Sequence, residues 1–144
     1  MILKDEGETA ELGAKLAEAA RPGDVITLSG PLGVGKTALA RGFIAGLGYK
    51  GEVPSPSFAI VQPYEGLDPP VWHVDLYRIE DQAEIAELGL DAAADAVMLV
   101  EWPEHAGADR WPGALALSLE FGPNDDRILT AEVPPSWEGR WPPQ

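Results

Sequence analysis

The residues best suited to chemistry in this chain form one short run, Gly30-Pro31-Leu32-Gly33-Val34-Gly35-Lys36-Thr37. The run matches the pattern G-x-x-x-x-G-K-[ST], in which glycines let the backbone curl and point successive N–H groups at anionic oxygens. The lysine ammonium reaches the β- and γ-phosphates of a nucleotide, and the threonine hydroxyl ligates Mg²⁺. The run therefore predicts a phosphate-binding loop (P-loop).

A P-loop must have a strand before it and a helix after it, and the flanking residues predict both. The segment 25–29, Val-Ile-Thr-Leu-Ser, is short and rich in β-branched side chains, which indicates a strand. From Thr37 to Leu47 an apolar residue recurs every fourth position, which predicts a helix that Gly48 ends. Strand, loop and helix thus follow one another as a P-loop requires, and the helix N-terminus adds its positive dipole end to the anion site.

Length and composition place this loop in a small domain. The chain has 144 residues, which favours one domain, and we assign residues 1–134 to it. Residues 135–144 form a tail rich in proline and tryptophan, which we expect to be extended and partly ordered. There is no cysteine, which excludes disulfides, thiol nucleophiles and zinc–cysteine sites.

The charge balance bears on partners and compartment. The formal net charge is −14, from 24 acidic and 10 basic residues, so direct high-affinity binding to nucleic acid is not expected. Solubility is the preferred explanation of the charge, and a docking face for a basic partner is the alternative. The N-terminus lacks the apolar core of a signal peptide, and no apolar run approaches the ~20 residues that span a bilayer. We therefore expect a cytoplasmic protein without a membrane partner.

Periodicity and turn signals predict the remaining elements and, with them, the fold class. They are a helix from Thr9, as its N-cap, to Ala20, strands at 58–64, 71–77, 96–100, 115–121 and 127–133, and helical pieces at 82–88 and 91–95. The first two and the last two of these strands have links too short for a parallel crossover, so each pair is predicted to be an antiparallel hairpin. We predict an α/β fold: a P-loop NTPase-like three-layer domain with a mixed parallel/antiparallel central sheet.

Two acidic residues compete for the role of metal ligand beside the P-loop. A carboxylate at a strand end is needed to hold Mg²⁺ directly or through water. Glu101 ends the most apolar strand of the chain, whereas Asp75 lies in a less regular one. On the pattern alone both remain candidates, and the two can act together, one on the metal and one on the attacking water.

Four other polar residues have two interpretations each. His73 is interpreted as structural rather than catalytic, and Arg78 as the partner of an acid rather than of the γ-phosphate. Ser55 and Ser57 alternate with prolines, where they form either an ordinary proline turn or a rigid loop that senses the γ-phosphate.

Taken together, four segments resemble one protein family. They are the P-loop, Ser55-Pro56-Ser57-Phe58, His73-Val74-Asp75-Leu76-Tyr77-Arg78 and Glu101-Trp102-Pro103-Glu104. Their order and spacing are similar to those of TsaE, formerly YjeE, the small bacterial ATPase of tRNA threonylcarbamoyladenosine synthesis. The resemblance covers about residues 5–133. Its third and fourth segments, which contain Asp75 and Glu101, are more specific than the P-loop.

The resemblance implies an activity, cofactors, partners and residue roles. It implies binding and hydrolysis of ATP with Mg²⁺, in association with TsaB- and TsaD-like proteins that carry the tRNA chemistry. It makes Thr37 and Glu101 the metal ligands, and Lys36 and Asp75 the catalytic residues. It assigns nucleotide contacts to Thr9, Gly33, Val34, Gly35, Lys36, Thr37, Ala38 and Arg127, and it places Trp102 at the border of the site.

Two other functions remain open at this point. A small-molecule P-loop kinase would need an acceptor pocket and a mobile basic lid, and no arginine-rich lid segment is visible. A nucleotide-switched adaptor would bind partners and hold ATP without significant hydrolysis.

Overall fold

Parallel strands at the centre of one sheet and antiparallel strands at its edges form the frame of this protein. The structure, a computed structural model, describes residues 1–54, 56, 60–107 and 110–143. The strands in this part of the chain are β1 (Ile2–Leu3), β2 (Val25–Ser29), β3 (Val61–Tyr64), β4 (Val71–Asp75), β5 (Val97–Glu101), β6 (Leu115–Phe121) and β7 (Arg127–Glu132). The α-helices are α1 (Glu6–Ala19), α2 (Lys36–Gly46) and α3 (Gln82–Glu87). Short 3-10 turns cover Leu90–Ala93, Pro103–Ala106 and Pro135–Trp137.

The sheet is mixed, as predicted. Its strand order is β1-β7-β6-β2-β5-β4-β3. The four central strands, β6, β2, β5 and β4, are parallel to one another. Both predicted hairpins, β3–β4 and β6–β7, are antiparallel. The ends of β2, β4 and β5 therefore meet at one edge, since the carboxyl ends of parallel strands lie together.

Helices cover both faces of the central strands. Alternate residues of β5 enter different clusters, because side chains of a strand point to opposite faces. Val97 and Leu99 pack with α1 and α2, whereas Met98 and Val100 pack with Ile85 of α3. All residues of β5 are buried, which confirms the predicted strand that is covered on both faces.

The first helix begins earlier than predicted, and Thr9 is not its N-cap. Helix α1 starts at Glu6, and the carboxylate of Asp5 caps it by accepting from the backbone N–H of Glu8 at 2.9 Å. Aspartate caps a helix as well as threonine does, and Glu6 and Glu8 in the first turn favour the positive end of the helix dipole. Thr9 instead lies one turn inside the helix, where its hydroxyl donates to the carbonyl of Asp5.

Smaller differences concern the ends of elements. The strand predicted at 71–77 ends at Asp75, and the helical piece predicted at 91–95 is the 3-10 turn Leu90–Ala93. Strand β1 was not predicted, because two residues are too few to show alternation. The predicted serine loop at Ser55 and Ser57 and the start of the predicted strand, Phe58 and Ala59, lie outside the described residues.

The C-terminal tail is less extended than predicted. Its tryptophan Trp137 is 1% exposed and belongs to the same apolar cluster as residues of α1 and α2.

None of the helices in the described part of the chain combines the length and the apolar composition that a membrane crossing needs.

Candidate functional site

A cavity of about 560 Å³ opens at the carboxyl edge of the sheet. The P-loop follows β2 at this edge, Asp75 ends β4 and Glu101 ends β5. The register places Glu101 opposite Leu28 on one side and opposite Asp75 on the other. The cavity is lined by all the site residues predicted from the sequence, namely Thr9, Gly33, Val34, Gly35, Lys36, Thr37, Ala38, Asp75, Glu101 and Arg127.

The P-loop has the curled backbone that its glycines predict. Gly33 has a φ of 76° and Gly35 a φ of 118°, both in the left-handed region that side-chain-bearing residues rarely adopt. Gly35 is also the N-cap of α2, so the helix begins at Lys36 with no side-chain cap. The first N–H groups of α2 therefore keep their capacity to donate to an anion in the cavity.

Lys36 lies inside the loop, only 4% exposed. Its ammonium group donates to the carbonyl of Gly30 and to that of Pro31, the latter at 2.9 Å. Its Nζ also lies 4.1 Å from the ring centroid of Trp102. Burial lowers the pKa of Lys36 from its usual value, while the negative charges of nearby carboxylates, chiefly Glu101, act in the opposite direction. The lysine ammonium is thus held by backbone carbonyls of its own loop, at the wall of the cavity.

Thr37, Glu101 and His73 form a continuous hydrogen-bonded chain. The hydroxyl of Thr37 lies 2.9 Å from Oε1 and 3.1 Å from Oε2 of Glu101. Nε2 of His73 lies 2.7 Å from the same Oε2. Glu101 is 2% exposed and His73 is fully buried. A hydroxyl and a carboxylate so placed are hard oxygen ligands of the kind that Mg²⁺ prefers.

Asp75 supplies a second carboxylate to the cavity. It is 5% exposed, and its Oδ1 accepts from the backbone N–H of Tyr77 at 2.9 Å. The turn after β4 thus fixes the carboxylate next to Glu101. Among the described residues, no group of three or more His, Asp or Glu side chains is arranged to hold a metal ion. A metal here would need ligands from a bound phosphate and water, which is the usual coordination of Mg²⁺.

Two residues from outside the loop adjoin it. Thr9 is 1% exposed, and its methyl carbon lies 3.6 Å from the place that a Cβ on Gly35 would occupy. Arg127, at the start of β7, donates from Nε to the carbonyl of Val34 at 2.9 Å. It also donates to the carbonyls of Asp125 and Asp126. Arg127 therefore ties the P-loop to the β6–β7 hairpin, and its predicted nucleotide contact stays a prediction.

Several features of the site were not predicted. The contact of His73 with Glu101 does not follow from its interpretation as a structural residue. The sequence signal for this contact is the position of His73 two residues before Asp75, since residues so spaced on a strand share one face. Trp102 was expected at the border of the site, but not its left-handed φ of 60°, which brings the ring over Lys36. Arg78 is exposed and lies in the turn after β4, outside the lining of the cavity.

The sequence has relatives that match over most of its length. Residues 3–129 match the family described as "Threonylcarbamoyl adenosine biosynthesis protein TsaE". The chain is 49% identical over 119 residues to the tRNA threonylcarbamoyladenosine biosynthesis protein TsaE of Streptomyces coelicolor, which covers 80% of each chain. It is 40% identical over 126 residues to the protein of that name from Bacillus subtilis, covering 85% of this chain and 78% of the relative.

A solved structure has the same fold. The crystal structure of YdiB from Bacillus subtilis superposes with a TM-score of 0.79 at 32% identity, and the match covers 96% of this chain and 88% of that one. The family match and the curated relatives each span most of the sequence. On these grounds the chain belongs to the TsaE family of threonylcarbamoyl adenosine biosynthesis proteins.

Proposed function

We propose that this protein binds and hydrolyses ATP with Mg²⁺ in support of the threonylcarbamoyladenosine modification of tRNA. The observation that carries the proposal is a single cavity that contains a P-loop lysine, a helix N-terminus, a Thr37–Glu101 pair and a second carboxylate. The role in tRNA modification rests on membership of the family. The cytoplasmic location expected from the sequence is part of this proposal.

The residues around the cavity fit a magnesium nucleotide. The N–H groups at the start of α2 and the ammonium of Lys36 would bind the phosphates. The Thr37 hydroxyl and the Glu101 carboxylate would hold Mg²⁺, which when bound neutralises charge on the β- and γ-phosphate oxygens. Without a cation, the carboxylates of Asp75 and Glu101 would repel the γ-phosphate. The cavity therefore favours a nucleotide that carries Mg²⁺ over one that does not.

Hydrolysis needs a group that orients the attacking water, and Asp75 is the candidate. In the proposed reaction, water attacks the γ-phosphorus as the bond from that phosphorus to the β–γ bridging oxygen breaks. The electron pair of that bond stays on the ADP oxygen, and the proton lost by the water passes to the released phosphate or to solvent. The Asp75 carboxylate lines the cavity and can accept a hydrogen bond from that water, since a carboxylate has about four lone-pair sites for accepting hydrogen bonds. Lys36 would stabilise the charge on the transferring group.

The proposed partners are TsaB- and TsaD-like proteins. The protein would act on the complex that these two form, or as part of it. The net charge of −14 makes independent high-affinity binding to tRNA unfavourable, because an acidic surface repels the phosphate backbone. A division of labour in which partner proteins hold the RNA agrees with this charge.

The first prediction concerns nucleotide binding. Lys36→Ala removes charge-assisted hydrogen bonds worth about 1.5–3 kcal/mol each, so ATP affinity should fall by about 100-fold or more. The measurement is titration of a fluorescent ATP analogue. The matched control is Lys15→Ala, since Lys15 is half exposed on α1 and pairs with the exposed Glu11 at 3.5 Å. Unchanged affinity in the Lys36 variant would contradict the proposed site.

The partner proposal is tested by a nucleotide-dependent pull-down with TsaB- and TsaD-like proteins, with ATP consumption followed in the same tube. We expect retention with ATP and turnover that rises when the partners are present. Retention without turnover would identify a nucleotide-switched adaptor instead. Transfer of phosphate to a nucleoside or a sugar would identify a small-molecule kinase.

A further inference from the structure

His73 has a place in the structure that its interpretation as a structural residue does not explain. It lies in the middle of β4 and is fully buried. Its Nε2 is 2.7 Å from Oε2 of Glu101, and its Nδ1 has no hydrogen-bond partner within the described part of the chain. Burial of a polar ring nitrogen without a partner is unfavourable compared with an aliphatic side chain of the same size. The contact with Glu101 is therefore what favours histidine here.

The sheet brings these two side chains together. In the β4–β5 register His73 lies opposite Leu99, and Glu101 follows Leu99 by two residues. Side chains two residues apart on a strand point to the same face, so His73 and Glu101 share one face at neighbouring positions. Since a carboxylate oxygen only accepts, Nε2 is the donor of the hydrogen bond between them.

This hydrogen bond decides where the Glu101 carboxylate points. Glu101 accepts from His73 behind it and from Thr37 in front of it. The ammonium of Lys36 is a nearby positive charge that attracts the same carboxylate. Without the donor at His73, the carboxylate would be free to turn from Thr37 towards Lys36.

We propose that His73 is a positioning residue that holds the Glu101 carboxylate in the orientation needed to ligate Mg²⁺ together with Thr37. The proposal rests on the proposed function, in which Thr37 and Glu101 are the metal ligands. Residues that orient a metal ligand in this way change metal affinity by about 10- to 100-fold when they are removed.

The test is a Mg²⁺ titration of the binding of a fluorescent, non-hydrolysable ATP analogue to the full chain. The measured quantity is the Mg²⁺ concentration at half-maximal enhancement of binding. His73→Leu removes the donor at similar volume and should raise that concentration by about 10- to 100-fold. His73→Gln can place an amide N–H near the position of Nε2 and should stay within about threefold of the parent protein.

Two controls accompany these variants. Val74→Ala also removes buried volume from β4, but on the other face of the sheet, and should leave the Mg²⁺ dependence unchanged. Glu101→Ala removes the ligand itself and should abolish the Mg²⁺ enhancement. If His73→Leu does not fold, His73→Asn, whose shorter amide does not reach Glu101, takes its place.

The outcomes separate this inference from the proposed function. If Mg²⁺ enhancement is lost in Glu101→Ala but His73→Leu stays within twofold of the parent protein, the positioning role is wrong and the metal site stands. Failure of His73→Gln to restore what His73→Leu loses has the same meaning. If the parent protein shows no Mg²⁺ enhancement at all, the metal assignment falls, and the role of His73 falls with it.

Discussion

At the scale of single residues, the cavity combines one buried lysine with two buried carboxylates. Lys36, Asp75 and Glu101 are each 5% exposed or less. The ammonium of Lys36 donates to carbonyls of its own loop rather than to either carboxylate. In the proposed function, an incoming triphosphate would compete with these loop carbonyls for the ammonium, and a cation would offset its repulsion by the two carboxylates.

The residue-scale prediction concerns Asp75. Asp75→Asn keeps an oxygen that can accept from Tyr77 N–H but removes the negative charge, so the turn should persist while the attacking water is oriented poorly. Turnover of ATP in the presence of partners should fall by about 100-fold or more, with ATP affinity changed by less than about threefold.

The matched control for Asp75 is Asp95→Asn, because Asp95 is an exposed carboxylate that does not line the cavity. Its turnover should equal that of the parent protein. The assignment of Asp75 would be wrong if the Asp75 variant hydrolysed ATP at the parent rate, or if its affinity and turnover fell together.

At the scale of elements, close packing of α1 on α2 sets the position of the P-loop helix. A Cβ on Gly13 would lie 2.2 Å from the carbonyl oxygen of Leu39, and a Cβ on Gly42 would lie 2.1 Å from that of Ala10. The two helix backbones can approach so closely only because these positions lack a side chain. Thr9 reaches Gly35 because α1 lies directly against α2.

The element-scale prediction is that Gly42→Ala separates these helices. The added methyl group meets backbone rather than a flexible side chain, so unfolding free energy should fall by about 1–3 kcal/mol in urea denaturation. Nucleotide affinity should fall as well, because α2 begins at Lys36. Glu18→Ala, at an exposed position of α1, should change stability by less than about 0.5 kcal/mol. Equal stability of the two variants would refute the close-packing argument.

At the scale of the whole molecule, the C-terminal segment contacts the amino end of β2, which is the end away from the P-loop. Arg140 donates to both carboxylate oxygens of Asp24, at 2.7 and 3.2 Å, and to the carbonyl of Ala19. Its guanidinium also lies 4.0 Å from the ring centroid of the buried Trp137. Asp24 precedes β2 and the P-loop follows it, so this contact stabilises the fold at a distance from the site.

The whole-molecule prediction separates stability from function. Arg140→Ala should lower the free energy of unfolding by about 1.5–3 kcal/mol, because it breaks a largely buried two-point ion pair. The melting temperature should fall by roughly 5–10 °C, with nucleotide affinity unchanged. Arg110→Ala is the control, since Arg110 lies 3.9 Å from a fully exposed Asp91 and should contribute little. Loss of nucleotide binding in the Arg140 variant would show that the two ends of the sheet are coupled.

Local spacing determined much of this protein from the sequence alone. Apolar patterns and link lengths predicted the order of strand, P-loop and helix, both hairpins and the fully buried β5. These signals extend over only a few neighbouring residues, so the sequence shows them directly. The same residues, with the acidic segments at Asp75 and Glu101, indicated the family, and the resemblance to that family supplied the nucleotide contacts predicted for Thr9 and Arg127.

Tertiary structure decided which of these residues touch. The contact of His73 with Glu101 depends on the pairing of β4 with β5, two strands separated by a helix and a turn, and no local pattern specifies that register. The placement of Trp102 over Lys36 and of Arg140 on Asp24 likewise joins residues that are distant in the chain. Such contacts arise when both faces of the sheet are packed at once, so they become visible only in the folded molecule.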